Sequence, residues 1–162
     1  MERLDGLELS VSATTRGPRP GEEDGVDYHF LTRAEFDRRV AGEEFVEHAD
    51  YAGRSYGTLR SELEDRLASG TPVVLEIEVQ GARQVRAAMP EAVQVFIAPP
   101  SLQALRTRLI GRGTDDAEEV ERRLRVAEEE LAAQPEFGHV VINDRLDEAL
   151  ERLTAIVAKE LS

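Results

Sequence analysis

The sequence predicts an α/β domain with a mainly parallel sheet. Two observations carry that expectation: short apolar runs rich in β-branched residues recur along the chain, and segments of helical periodicity separate them. A third sets the scale. With 162 residues, 41% hydrophobic and 33% charged, the chain is long enough to bury the core of one ordinary globular domain.

In chain order, LELSV (7–11), PVVLEIEV (72–79), AVQVFIA (92–98) and VVIN (140–143) read as short buried strands. Helix starts lie between them. Thr32 with Glu35 and Ser61 with Glu64 have capping-box spacing, and Asp115 with Glu118 resembles it. RTRLIGRGTDD ends a helix at its glycines, and the next helix carries Val120, Leu124, Ala127 and Leu131 as its apolar stripe, with Arg123 at the edge and Arg122 pointing away. Residues 145–161 form a last amphipathic helix with Leu146, Leu150, Leu153, Val157 and Leu161 on one face. Residues 13–58 differ in character. Short aromatic-containing pieces, DYHF, EEFVEHADY and RSYGT, surround the helix begun by Thr32, as in an inserted substrate-binding lobe.

Charge and composition exclude several classes. A formal net charge of -13 repels polyanions, which argues against general nucleic-acid or acidic-membrane binding. Any anionic ligand must then be met by local arginines, because Lys159 is the single lysine. There is no cysteine, so disulfides, thiol chemistry and zinc-ribbon sites are excluded. No apolar run approaches the roughly 18 residues of a membrane span, and a cytoplasmic protein is expected. His29, His48 and His139 lack metal-ligand spacing and are expected to be structural.

One acid-free stretch stands out in this acidic chain: SVSATTRGPRP (10–20) combines hydroxyls with Arg16 and Arg19, and Pro18 and Pro20 stiffen the backbone around Arg19. Planar guanidinium forks suit a phosphate dianion, and a rigid turn with two solvated arginines is the alternative. Glu76 and Glu78 sit in an otherwise apolar run; on one face of a strand they would have to meet a cation, a donor or a cleft. Gly81 would then follow at the strand's C-terminal end, where ligands of open α/β sheets bind. Arg108 and Arg112, four apart, would share a helix face, either toward a common target or solvated in ion pairs. Glu47 on its own reads as a solvated strand residue.

SVSATTRGPRPGEEDGVDYHF resembles the signature of guanylate kinases. FVEHADYAGRSYGT, VVLEIEVQGARQVR, VFIAPPSLQALRTRLIGRGTDD and VVIND resemble the same family in the same order, from Leu9 to the end of the chain. The resemblance implies a P-loop kinase-like parallel sheet core in one domain over 1–162, with a GMP-binding lobe at about 12–58 and a helical lid at about 106–123. By position, Ser12, Arg16, Arg19 and Tyr28 would hold the GMP phosphate, with Tyr56 and Gly57 beside it. An acid among them would repel it. Guanine presents two adjacent N–H donors and an O6 acceptor, which Glu47 and Thr58 would complement. Glu78, where the family often has aspartate, would be a second guanine contact. Glu76 would lie near Mg2+ and the transferring phosphate. Arg108, Arg112 and Arg123, with Arg16, would neutralise charge during transfer from ATP, and Asn143 would border the adenine, although it would also suit a helix N-cap. GMP or dGMP and ATP are the implied substrates, with no nucleic-acid or membrane partner.

Such kinases cradle ATP phosphates in G-x-x-x-x-G-K-[ST], and these residues contain no such run. MERLDGLELS resembles the tail of the helix that follows that loop, so the first strand and most of the first helix are expected to be missing. Unpaired sheet edges, marginal stability or self-association, and negligible turnover are the corresponding expectations. A non-catalytic module binding GMP or a phosphorylated peptide is the alternative to an enzyme.

Overall fold

Thr32 opens the first helix as its spacing to Glu35 predicts. Its Oγ1 accepts the Glu35 N–H at 3.2 Å, and α1 runs over Arg33–Ala41 with Phe36 facing inward. The computed structural model describes residues 6–111 and 117–161, which divide into two compact units within Met1–Ala92 and Val93–Ser162.

In the first unit, β1 (Glu8–Leu9) pairs in parallel with β6 (Val73–Val74). Separately, β2 (Ala13–Thr14), β3 (His29–Phe30), β4 (Phe45–Tyr51) and β5 (Arg54–Leu59) form a mixed sheet in the order β3-β2-β5-β4, with only β2 and β3 parallel. The β4–β5 hairpin turns at Ala52 and Gly53, both at positive φ (49° and 77°), so its twist matches that of its strands. Ala13, Phe36, Phe45 and Leu59 make the core between this sheet and α1, with the Phe36 and Phe45 rings 4.6 Å apart. Residues 13–59 thus contribute one mixed sheet packed on α1.

Several expected boundaries move. Residues 7–11 pair only at Glu8 and Leu9, and both are exposed rather than buried, because β6 is the one strand hydrogen-bonded to them among the described residues. The expected strand 72–79 shrinks to Val73–Val74. Residues 75–78 carry no ladder, and Val79 opens α3 (Val79–Ala88) because Ala82 and Val85 bury a helical stripe. Glu76 and Glu78 therefore share no buried strand face: Glu76 is exposed and Glu78 is the half-buried N-cap residue of α3. Gly81 lies in the first turn of α3 rather than past a strand end. Ser61 caps nothing. The chain makes a 3-10 turn at Arg60–Glu62, and α2 (Glu64–Ala68) follows Leu63, which must turn inward to be buried.

Glu62 explains that turn. Its carboxylate accepts the Val11 N–H (3.2 Å), the His29 Nε2 (2.8 Å) and Arg66 Nη1 (2.9 Å), and Arg66 also reaches Glu8. These bonds hold the Glu62 pKa below the ordinary carboxylate value despite its burial.

In the second unit, β7 (Val95–Ala98) and β8 (His139–Ile142) pair in parallel. Helix α4 runs over Leu102–Gly111, and the expected helix end at the glycines borders residues outside the described ones. It packs on α5 (Ala117–Ala132) through Leu105, Leu109, Val120 and Leu124. Helix α6 (Leu146–Glu160) buries Ala149 and half-buries Leu150, Leu153 and Val157, but Leu146 and Leu161, the ends of the expected stripe, are 72% and 54% exposed. The apolar face is shorter than the heptad-like spacing implies. Asp115, and with it the expected cap at Glu118, lies outside the described residues, as does Arg112. No described helix is long and apolar enough to cross a membrane.

Candidate functional site

The acid-free loop is anchored by its hydroxyls. Thr14, fully buried, donates from Oγ1 to the Ser55 carbonyl (3.1 Å) and accepts the Arg16 N–H (3.1 Å), while Thr15 Oγ1 accepts the Ser55 N–H (2.9 Å). The backbone entering Arg16 is thus pinned to the start of β5. Arg16 then lies with its guanidinium carbon 5.1 Å from the Tyr28 ring centroid and 5.8 Å from that of Phe30, and it also interacts with the Tyr56 phenol. Tyr28 and Tyr56 meet edge to face at 6.3 Å. Three of the expected phosphate-binding residues, Arg16, Tyr28 and Tyr56, are therefore one cluster.

The expectation that no acid stands among them fails. Pro20 and Gly21 occupy the centre of a turn in which Glu22 N–H donates to Arg19 O (3.1 Å) and Gly21 has φ 89°, the type II geometry that Pro-Gly favours. The turn brings Glu22 back onto the loop. Its two oxygens take Arg16 Nη1 and Nη2, each at 2.9 Å, and Oε2 also accepts the Arg19 N–H at 2.7 Å. The pairing with Arg16 pulls the Glu22 pKa down, and Glu22 in turn raises that of Arg16. The Arg19 side chain is exposed. Ser12 is half-buried, its carbonyl accepting the His29 N–H at 2.9 Å.

Along β5 the alternation of side chains puts Tyr56 and Thr58 on one face, about 7 Å apart. Thr58 is fully buried and donates from Oγ1 to Glu47 Oε1 at 2.7 Å across the β4–β5 pair. Glu47 is only 3% exposed, so the expectation of a solvated strand residue is replaced by a buried carboxylate bonded to a hydroxyl. Burial raises its pKa, and the Thr58 bond offsets only part of that.

Two neighbours that sequence reasoning did not assign hold it there. Gly81 packs its backbone on the carboxylate, and a Cβ at Gly81 would fall inside Glu47 Oε2. Gln84, one turn along α3, donates from Nε2 to His48 O (2.6 Å) and accepts the His48 N–H at Oε1 (3.1 Å), fastening β4 beside Glu47. Gly57 is buried and equally tight: a Cβ there would lie 2.7 Å from Glu47 O and 2.8 Å from the Phe45 ring. The readable signals were the Pro-Gly turn before Glu22 and the lone glycine in a helical stretch at Gly81; nothing in the pattern marked Gln84.

In the second unit, Arg108 donates from Nη1 to Asn143 O (2.8 Å) and from Nη2 to Asp144 O (3.1 Å), so it braces the segment that carries Asn143. Asn143 donates its N–H to Ala98 O (2.7 Å) and is not a helix cap, since Arg145 holds that place for α6. Arg123 is half-buried and donates from Nε to Glu119 (3.2 Å), which also pairs with Arg122. Among the described residues no three acidic or histidine side chains cluster as metal ligands. A single exposed carboxylate such as Glu76 nonetheless suits a magnesium ion that arrives with phosphates and keeps its waters.

The family model described as guanylate kinase matches residues 2–160. Guanylate kinase of Frankia casuarinae is 55% identical over 156 residues, spanning 96% of this chain and 85% of that protein. Guanylate kinase of Gloeobacter violaceus is 52% identical over 160 residues, spanning 99% of this chain and 78% of that one. The crystal structure of guanylate kinase from Anaplasma phagocytophilum superposes with a TM-score of 0.84 at 35% identity, over 99% of this chain and 79% of that one. A buried carboxylate–hydroxyl pair and an arginine–tyrosine cluster on one strand face thus sit in an α/β chain that belongs to the guanylate kinase family.

Proposed function

We propose that the chain recognises GMP or dGMP within a single domain over 1–162, whose lobe covers about 12–58 and lid about 106–123, and that its chemistry is transfer of the ATP γ-phosphoryl group to that nucleotide. One observation carries the reading. Glu47 and Thr58 offer an acceptor pair and a hydroxyl at one end of β5, while Arg16, Tyr28 and Tyr56 gather donors at the other. Guanine's N1–H and N2–H would donate to the carboxylate, Thr58 would turn its one hydroxyl hydrogen from Glu47 to O6, and Glu78 would lie nearby as a second acceptor. The phosphate would meet Arg16, Arg19, Tyr28, Tyr56 and Ser12, with Gly57 beside it.

Magnesium would supply neutralisation of phosphate charge when bound, and Glu76 would be the residue near it. Arg108, Arg112 and Arg123 would bind and orient ATP phosphates, and Asn143 would border the adenine. With catalysis resting on positioning and charge, the lack of a G-x-x-x-x-G-K-[ST] run in these residues leaves ATP without its anchor, so negligible turnover is expected. That same lack favours, as the second reading, a module that binds the nucleotide without transferring phosphate.

Calorimetric titration tests recognition. GMP should bind at least about tenfold more tightly than AMP, which presents no N1–H donor and an amine where O6 stands. Equal affinities would overturn the reading, and GDP formed from GMP and ATP by the purified chain would overturn the expected inactivity.

A further inference from the structure

We infer that Glu22 is a positioning residue for phosphate recognition, fixing the Arg16 guanidinium by one edge so that the remainder faces the ligand. The inference rests on the GMP reading of the site. A guanidinium has five N–H donors. Nη1 gives one to Glu22 Oε2 and one to Gly17 O (2.8 Å), and Nη2 gives one to Glu22 Oε1. The Nε–H and the second Nη2–H take no part in these bonds and lie on the edge away from Glu22. Those two hydrogens form the other edge of the planar fork, which can itself grip an oxyanion.

Glu22 acts on the loop as well as on the side chain. Its Oε2 takes the Arg19 N–H, so one carboxylate ties the backbone of the second arginine to the guanidinium of the first. Side-chain exposures of 16% for Arg16 and 18% for Glu22 show the pair packed under Tyr28 and Phe30 rather than waving in solvent. Arg16's rotamers are therefore fixed before a ligand arrives, and the ordering entropy that a free arginine would lose on binding is already lost on folding. The negative charge of Glu22 opposes the phosphate, and the preorganised edge together with Arg19 has to outweigh it.

Calorimetry on the 162-residue chain decides between these effects, with GMP and guanosine as ligands. Glu22→Ala should weaken GMP binding about tenfold and leave guanosine within about twofold, because the nucleoside has no phosphate to meet Arg16. Glu22→Gln, nearly the same shape, should lose only part of that, since its amide oxygen can still accept one bond. In an Arg16→Ala background, Glu22→Ala should add much less than it costs alone, only what release of the Arg19 N–H contributes. Unchanged or tighter GMP binding by Glu22→Ala, equal losses for GMP and guanosine, or additive losses in the double variant would each overturn the inference while leaving the GMP reading standing. No GMP binding by the unmodified chain would overturn both.

Discussion

At the β4–β5 end of the lobe a carboxylate, Glu47, is buried against a hydroxyl; at the loop end another, Glu22, lies in the fork of an arginine. Burial raises the pKa of the first, and the arginine lowers that of the second. A buried charge with acceptor capacity left over costs folding free energy, whereas a paired one is already satisfied. The contrast separates roles. On the GMP reading, Glu47 keeps acceptor lone pairs for a ligand with adjacent donors, and Glu22 belongs to the scaffold that fixes Arg16.

The largest effect that could break this contrast comes from Glu47→Gln. The amide would point N–H donors at guanine's own donors, so GMP affinity should fall by at least about a hundredfold. Stability should move the other way or not at all, because the substitution removes a buried charge while Thr58 can still donate to the amide oxygen. The raised pKa fixes the sign with pH. A carboxyl whose folded pKa lies above its unfolded value contributes stability at low pH and loses it as pH rises. The unmodified chain should therefore melt progressively lower than Glu47→Gln as pH climbs above the ordinary carboxylate range. A variant that both binds GMP normally and melts lower at neutral pH would put Glu47 in the scaffold with Glu22.

Gly81→Ala sharpens the same end without touching a charge. Alanine favours a helix over glycine by up to about 1 kcal/mol, so α3 itself should not suffer. Its Cβ, however, must displace the Glu47 carboxylate. GMP binding should weaken about tenfold in titration while the thermal midpoint stays near that of the unmodified chain. Unaltered affinity would mean that the carboxylate can shift freely and that its buried position is incidental.

These residues also mark how far the sequence was legible. Elements set by local chemistry were readable: the Thr32 cap and the aromatic pieces around α1 lie where periodicity and capping put them. Elements set by distant partners were not. The run 72–79 is apolar enough for a strand, yet the ladder stops at Val74 and the helical stripe of Ala82 and Val85 takes over. Ser61 has the spacing of a cap, but Glu62 is drawn to Val11, His29 and Arg66, bonds that span up to 51 residues and leave no local trace. At the site, family likeness marked Arg16, Tyr28, Tyr56, Glu47 and Thr58, which the structure gathers. It did not mark Glu22, which bonds Arg16, or Gln84, which bonds His48 beside Glu47, and Gly81 was expected past a strand end rather than in a helix against Glu47.

Glu62 supplies the smallest and most discriminating comparison, because it is a third carboxylate of the same unit and is satisfied on every side. Glu62→Gln keeps the shape but weakens the bonds to Arg66 and His29, which should cost about 1 kcal/mol and lower the thermal midpoint by roughly 2–4 °C at neutral pH. The sign with pH is opposite to that of Glu47. Its folded pKa is depressed, so its contribution is complete above the unfolded carboxylate pKa and is lost as pH falls through the folded value. Melts of the two chains should accordingly converge on acidification. GMP affinity should stay within about twofold throughout, since no atom of Glu62 is bonded to the Arg16 or Glu47 clusters and distant sites act independently. Were GMP binding to fall with stability in this variant, satisfaction of a carboxylate by the protein would no longer separate scaffold from site, and the distinction between Glu22 and Glu47 would have to be drawn from direct contact with the ligand instead.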